Sequence, residues 1–325
     1  MSSSNIKTKN YQQPDLSHWN GRVDSEIDST QFRYHQVVKC IDIDKIEEGI
    51  GPVLLGFSCD EGVKRNKGRI GASEGPNEFR SVIGSLSWHG NEEGFLDAGN
   101  IKPISDELES VQIELGNAVH QLLKKNKRTF VIGGGHETAY GHYLGIAAYL
   151  KEEYLNPKLG ILNIDAHFDL REHNGKAHSG SPFLQAHEHA EQEELDLSYF
   201  VYGINRHNNT KSLFNRAEEL GVRYCTNREV QDQEENSFKE LEYFIKSRSH
   251  IYLTICLDVF KSSIAPGVSA VSWNGIDLKH ALRVIDLVKQ SGKLISMDVC
   301  ELNPLLDQDH RTAKVAGTIF SEWLS

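Results

Sequence analysis

The segment Leu162-Asn163-Ile164-Asp165-Ala166-His167-Phe168-Asp169 sets two carboxylates and an imidazole at every second position behind an apolar run. Side chains on an extended chain alternate sides with period two. Asp165, His167 and Asp169 are therefore expected to project one way as the chain leaves a strand. Two carboxylates and an imidazole make a hard, mixed oxygen and nitrogen donor set. Such a set suits Mn²⁺ or another hydrated divalent ion better than it suits thiolate-bound zinc. Taken alone, the same residues also describe an Asp-rich turn with a hydrogen-bonded histidine.

Three further segments share this form. Val131-Ile132-Gly133-Gly134-Gly135-His136-Glu137 runs from an apolar strand into three glycines and a histidine. The glycines allow close approach of backbone and ligand. A dinucleotide-binding turn is the rival, but no GKS or GKT follows and the third glycine of that fingerprint is missing. A nucleotide-binding oxidoreductase would show NAD or flavin absorbance. Ile255-Cys256-Leu257-Asp258-Val259 places Cys256 and Asp258 on one face; a buried Cys beside a capping Asp is the plainer reading of the isolated pair. Met297-Asp298-Val299-Cys300-Glu301-Leu302-Asn303-Pro304 again sets acids after an apolar strand. All four fall at the expected C-terminal ends of strands, the edge at which open α/β sheets bind ligands. That shared position favours reading the four together, although each alone has an ordinary explanation.

The elements that must position them are short apolar runs at Val53–Cys59, Thr129–Ile132, Leu159–Ile164, Ser198–Tyr202, Ile251–Val259 and Leu294–Val299. They are rich in Val, Ile and Leu and bounded by turn residues, as strands buried on both faces should be. Helix-period segments lie between them at Ile104–Lys124, Tyr140–Glu153 and Ile276–Gln290. Strand and helix alternation predicts a parallel sheet covered on both faces. Residues 1–50 are polar and irregular and read as an N-terminal covering arm, leaving 51–325 as one catalytic domain. The acidic run Glu188–Glu194 reads as a solvated helix face or loop.

The 325 residues are 38% hydrophobic and 25% charged, an ordinary globular composition, with formal net charge −11. That field argues against nucleic acid or an anionic membrane as the main partner. No run reaches the roughly 18–20 apolar residues needed to span a bilayer, and the polar N-terminus has no apolar signal core. A cytoplasmic protein is expected. Five cysteines, Cys40, Cys59, Cys225, Cys256 and Cys300, are scattered without CxxC spacing. A disulfide framework or zinc ribbon is not expected.

GGGHE, NIDAHFD, the strand ending in LDVF, and DVCELNP resemble the motifs of the arginase (ureohydrolase) family, in the same order from about Gly133 to Pro304. Asn66-Lys67-Gly68-Arg69-Ile70-Gly71-Ala72-Ser73-Glu74-Gly75-Pro76 resembles the family's N-terminal Gly-rich segment. The resemblance implies a single three-layer α/β/α domain with a mostly parallel central sheet and two Mn²⁺ ions per subunit. By motif position, His136 and Asp169 correspond to ligands of one ion, His167 and Asp258 to ligands of the other, and Asp165 to a ligand of both. Glu301 matches the acid that faces the cationic end of the substrate. Where the family has Asp-x-Asp, this chain has Cys256-Leu257-Asp258, so the first, metal-bridging Asp is replaced by a thiol. Thiols are softer and must ionise to bind. A cysteinate ligand, a single occupied metal site and a non-catalytic metal-binding member are the open outcomes; a working site with altered metal affinity is the expectation.

Two more segments are similar to those of the formimidoylglutamases within that family. Ser179-Gly180-Ser181-Pro182-Phe183 stands where arginases and agmatinases place a His-Gly pair, and Ala265-Pro266-Gly267-Val268-Ser269-Ala270 resembles their APGVSA segment. The implied reaction is hydrolysis of N-formimidoyl-L-glutamate to L-glutamate and formamide, with Asp258 orienting the attacking water and carrying its proton and Glu301 holding the amidinium. Arg171 either forks a substrate carboxylate or pairs with a nearby acid. Ser179, Asn205, Arg206 and Asn209 join it as candidate substrate-binding residues, with the proton donor to the leaving amine open between Ser179 and water. A guanidino hydrolase, such as an agmatinase or guanidinobutyrase, is the alternative. The expected partner is a small amidine, with homo-oligomerisation left open.

Overall fold

The computed structural model describes residues 9–90 and 93–325. Its strands are β1 (Tyr11–Gln12), β2 (Val38–Cys40), β3 (Pro52–Phe57), β4 (Phe95–Ile101), β5 (Arg128–Gly133), β6 (Lys158–Ile164), β7 (Asp196–Ile204), β8 (Arg223–Thr226), β9 (His250–Cys256) and β10 (Leu294–Cys300). They form one sheet in the order β1-β4-β3-β5-β10-β9-β6-β7-β8, with β2 also on β4. Every pairing is parallel except that of β1 with β4.

Apolar side chains leave the strands alternately to the two faces, and helices cover both. Phe130, Ile132, Leu162 and Ile164 join the core beneath helices Gly75–Ile83, Glu234–Ser247, Leu278–Gln290 and Arg311–Leu324. Val131, Leu159 and Ile161 join the opposite core, beneath Leu108–Lys124, Thr138–Glu153, Pro182–Gln192 and Lys211–Glu219. Helix Leu278–Gln290 shows the rule: Ala281, Val284, Ile285 and Val288 are buried at helical spacing, and Asp277 with His280 closes a capping box at its start. The result is the expected three-layer α/β/α arrangement.

All six expected strands are present within a few residues of their anticipated ends. The run Ile251–Val259 is shorter than anticipated: β9 stops at Cys256, and Leu257–Val259 forms a 3₁₀ turn. Strand β4 escaped notice because Asp97, Gly99 and Asn100 interrupt its apolar pattern. Its polar groups are buried and partnered instead. Arg80 donates to both Asp97 carboxylate oxygens at 2.8 Å and to Asn100 Oδ1 at 2.8 Å.

Residues 9–50 do more than cover the sheet. They supply β1 and β2, and Trp19, Tyr34 and Ile43 are buried in the two cores. Trp19 Nε1 donates to Asp97 Oδ2 at 2.8 Å. The reading of this stretch as irregular chain outside the core is corrected to that extent.

Candidate metal centre

Strands β5, β10, β9 and β6 are consecutive in the sheet. They are the four that carry the sequence segments singled out above. Parallel pairing puts all their C-terminal ends on one edge, and neighbouring strands lie about 4.8 Å apart, so four short loops meet within about 15 Å. The register is level: Cys300 pairs with Cys256, and Ile255 pairs with both Val299 and Ile164.

The loop after β5 turns through Gly133–Gly135. A Cβ at Gly134 would lie 1.9 Å from the Cys59 carbonyl oxygen, so only glycine fits there. The turn delivers His136, whose Nδ1 lies 3.1 Å from Asp165 Oδ2 and 2.9 Å from Asp169 Oδ2. Its Nε2 is paired with Thr254 Oγ1 at 3.1 Å, which fixes the ring. After β6, the other Asp165 oxygen, Oδ1, lies 3.6 Å from His167 Nδ1, and His167 Nδ1 lies 3.0 Å from Asp258 Oδ2. Asn163 Nδ2 donates to Asp165 Oδ2 at 2.9 Å and steadies it. Asp165 thus stands between two donor groups, one with His136 and Cys256, the other with His167 and Asp258.

Convergence does not come about by strand alternation. Strand β6 ends at Ile164, before the first of the three residues, and Asp169 has φ +48°. A tight turn that includes a left-handed residue brings Asp165, His167 and Asp169 round the same point. Glu301 follows β10 in the same way, with φ +73°. Two non-glycine residues in the sparsely populated left-handed region at one site are local strain that the surrounding structure holds in place.

The electrostatics are those of a nest of buried charge. Burial alone would lower the His136 pKa, but Asp165 and Asp169 hold it well above the ordinary imidazole value. Burial opposes the His167 cation too, and Asp258 and Asp165 outweigh it. Asp165 is held low by the two imidazoles against burial. Asp169 and Asp258 are pushed up by burial and by Asp165, while their histidine partners partly offset this. Burial and Asp258 push Glu301 up to about 8. The Cys256 thiol is driven well above its usual value by burial and by Asp165 and Asp258.

These residues fit a divalent cation. Ligand atoms about 2.1 Å from one octahedral ion and at right angles to each other lie about 3 Å apart, which is the spacing of the His136, Asp165 and Asp169 atoms and of the His167 and Asp258 atoms. The carboxylate oxygens Asp258 Oδ1 and Glu301 Oε2 are buried with no hydrogen-bond partner among the described residues. Such groups are costly unless something positive meets them. The donors are oxygen and nitrogen throughout, except for Cys256.

Above this floor opens a cleft of about 410 Å³. His136, His167, Asp169, Cys256, Asp258 and Glu301 form part of its lining, and Arg171, Ser179 and Asn209 form part of its wall. Asp165 lies beneath them, fully buried. Arg171 is exposed at the wall, and no acid pairs with it among the described residues. Ser179 Oγ accepts from Asn66 Nδ2 at 3.1 Å. The Asn209 amide is fully engaged: it accepts from the Phe168 N–H and donates to the Ala166 and Asn205 carbonyls. Asn209 thus holds the Asp165–Asp169 turn rather than offering a free group.

Asn205 and Arg206 do not reach this cleft. They line a neighbouring one with His207, Asn227, Arg228 and Asn274, and Asn205 Nδ2 donates to Asn274 Oδ1 at 2.9 Å. Asn205 caps the 3₁₀ turn Arg206–Asn208 by accepting from the His207 N–H, and the Arg206 guanidinium lies over the Phe214 ring. The expectation that both line the substrate mouth is corrected.

The profile of the arginase family matches residues 51–325. The chain belongs to the arginase family. A formimidoylglutamase of Geobacillus kaustophilus is 42% identical over 320 residues, covering 97% of each chain. One from Clostridium tetani is 39% identical over 318 residues, covering 95% of this chain and 94% of its own. A formiminoglutamase of Trypanosoma cruzi, solved with Mn²⁺, superposes with a TM-score of 0.76 at 26% identity, over 90% of this chain and 97% of that one. The formimidoylglutamase of Bacillus subtilis shares the fold, with a TM-score of 0.79 at 20% identity and 93% of each chain covered. Membership accounts for the order of the motifs along the arginase-like sheet.

Three supporting residues escaped the sequence reading. Thr254 and Asn163 lie inside strands, where a polar side chain among apolar neighbours was the only available signal. Lys67 lines the cleft from the Gly-rich segment, which the resemblance picked out without giving any residue a role.

Proposed function

We propose that this arginase-family chain hydrolyses N-formimidoyl-L-glutamate to L-glutamate and formamide, with Mn²⁺ as its metal. The observation that carries the reading is a cleft whose floor is a nest of carboxylates and whose wall bears Arg171, with no acid partner among the described residues. Such a cleft suits a substrate with a cationic amidine head and anionic carboxylate tails. Agmatine has no carboxylate to offer Arg171.

Two ions fit the donors. His136, Asp165 and Asp169 would hold one, and Asp165, His167 and Asp258 the other. Cys256, in the donor group of His136 and Asp165, would supply a thiolate where the family has a bridging carboxylate. When bound, manganese supplies Lewis-acid activation of water at neutral pH.

The chain's own groups do the rest. Glu301 Oε1 accepts the His136 N–H at 3.0 Å, which fixes the carboxylate and leaves Oε2 buried without a hydrogen-bond partner among the described residues. Oε2 pairs with the amidinium and sets the formimidoyl carbon over the floor. Asp258 Oδ1, without a partner of its own, accepts the proton of the attacking water. Collapse of the tetrahedral carbon breaks its bond to the glutamate nitrogen, which takes a proton from Asp258, directly or through Ser179 or a water. Formamide keeps the other nitrogen. Burial of these carboxylates within a narrow cleft strengthens each contact relative to water.

The test is an assay of the Mn²⁺-loaded chain on formimidoylglutamate, agmatine, arginine and 4-guanidinobutyrate side by side. Equimolar glutamate and formamide from the first, with little urea from the others, is expected. Preference for a guanidine substrate would overturn the substrate assignment, and binding of Mn²⁺ without turnover of any of the four would make this a non-catalytic member.

A further inference from the structure

Among the described residues, three lysine and arginine side chains line the cleft: Lys67, Arg69 and Arg171. Arg69 is already engaged. Its Nε donates to the Ser269 carbonyl at 2.8 Å and a terminal nitrogen to the Val268 carbonyl at 2.7 Å, tying the Gly-rich segment to the 265–270 loop. Lys67 and Arg171 are exposed, and neither has an acid partner among the described residues. A substrate with two carboxylates therefore meets two uncommitted cations.

The backbone at Lys67 adds an independent observation. The short helix Glu61–Arg65 closes with the Gly68 N–H donating to the Val63 carbonyl at 2.8 Å and the Lys67 N–H to the Lys64 carbonyl at 3.0 Å. In such a closing turn the left-handed position favours glycine. Here Lys67 takes it, with φ +61°, a conformation unfavourable for any residue with a Cβ. Glycine would relieve that strain; lysine puts an ammonium at the cleft instead. The same segment is tied to the 179–183 segment by the hydrogen bond from Asn66 Nδ2 to Ser179 Oγ.

We propose that Lys67 is a specificity residue that pairs with one carboxylate of the substrate while Arg171 forks the other. This rests on the formimidoylglutamate reading above. It makes the site selective for amidines borne by a dicarboxylic amino acid: arginine would leave one cation unmatched, and agmatine both. Because Lys67 is exposed, salt screens its contribution, which appears in substrate binding rather than in the chemical step.

The experiment uses the full Mn²⁺-loaded chain with Lys67→Gly, which keeps the turn without strain, and Lys67→Arg, which returns the charge. Each is assayed on N-formimidoyl-L-glutamate and on two analogues lacking one carboxylate each, N-formimidoyl-L-glutamine and 4-(formimidoylamino)butanoate. Lys67→Gly is expected to raise KM for the full substrate about tenfold, as loss of one charged hydrogen bond does, with kcat within about twofold. The rise should shrink with added salt and be largely reversed by Lys67→Arg. For one analogue, the one lacking the carboxylate that Lys67 holds, wild type and Lys67→Gly should share the same KM. An unchanged KM for formimidoylglutamate, or an equal rise for all three substrates, overturns the proposal. A wild-type chain inert on formimidoylglutamate but active on a guanidine overturns the function reading itself, and the role of Lys67 with it.

Discussion

The least conventional residue of the site is Cys256. Its thiol is buried, lies beside carboxylates, and stays protonated unless a cation meets it. A carboxylate there would bind a hard ion without first losing a thiol proton. Cys256→Asp should therefore tighten the more weakly held Mn²⁺ about tenfold or more in a calorimetric titration, and Cys256→Ala should weaken it. Equal affinity in both variants would put Cys256 outside the metal shell. At the wall, Arg171→Met should raise KM for formimidoylglutamate about tenfold to hundredfold, with kcat largely kept, since a forked guanidinium–carboxylate pair acts on binding. A lowered kcat at unchanged KM would remove Arg171 from substrate binding. Residue types and spacing singled out Asp165, His167 and Asp169, and the family resemblance added His136, Asp258 and Glu301. They could not show that Arg206 lines a different cleft or that Asn209 is consumed by backbone partners, because both follow from the path of a short 3₁₀ turn that spacing does not encode.

The elements contribute precision of placement. Thr254, inside β9, holds His136 by its second ring nitrogen, and such outer partners usually matter to metal affinity by a factor of about 10–100. Thr254→Val, nearly the same size, should lower Mn²⁺ affinity about tenfold while the circular dichroism spectrum stays that of the wild type. Unchanged affinity would mean that the ring is fixed by packing alone, for instance by its edge-on contact with Phe183. The strands of the sheet's centre were legible because both faces are buried, which makes them continuous apolar runs between turn residues. Strand β4 was not, because its polar residues are satisfied by Arg80 and Trp19, which are distant in sequence. Asp165, His167 and Asp169 do gather at one point, but a turn with a left-handed residue, not an extended strand, brings them there.

At the scale of the molecule, the sheet edge at β4 is locked to the N-terminal segment through one buried ion pair. Arg80 and Asp97 are almost wholly excluded from solvent, and their remaining hydrogen-bonding groups are taken by Trp19, Asn100 and the Pro76 and Gly99 carbonyls. Arg80→Met strands the Asp97 carboxylate and should destabilise the fold by about 3–5 kcal/mol in urea unfolding; a loss below about 1 kcal/mol would show that the carboxylate finds other partners. The metal acts on the same global equilibrium. Carboxylates gathered at one edge repel each other until cations arrive, and a ligand present at about a hundred times its Kd adds about 2.7 kcal/mol. Saturating Mn²⁺ should raise Tm by several degrees, and a chelator should reverse the rise.

The central claim is that the loops after β5, β6, β9 and β10 meet round divalent cations. Crystals grown with excess Mn²⁺ and measured at the manganese absorption edge test it directly. The account predicts anomalous peaks bounded by His136, Asp165 and Asp169 on one side and by Asp165, His167 and Asp258 on the other, with Cys256 Sγ in contact. No anomalous density within that cluster at saturating Mn²⁺ would contradict it.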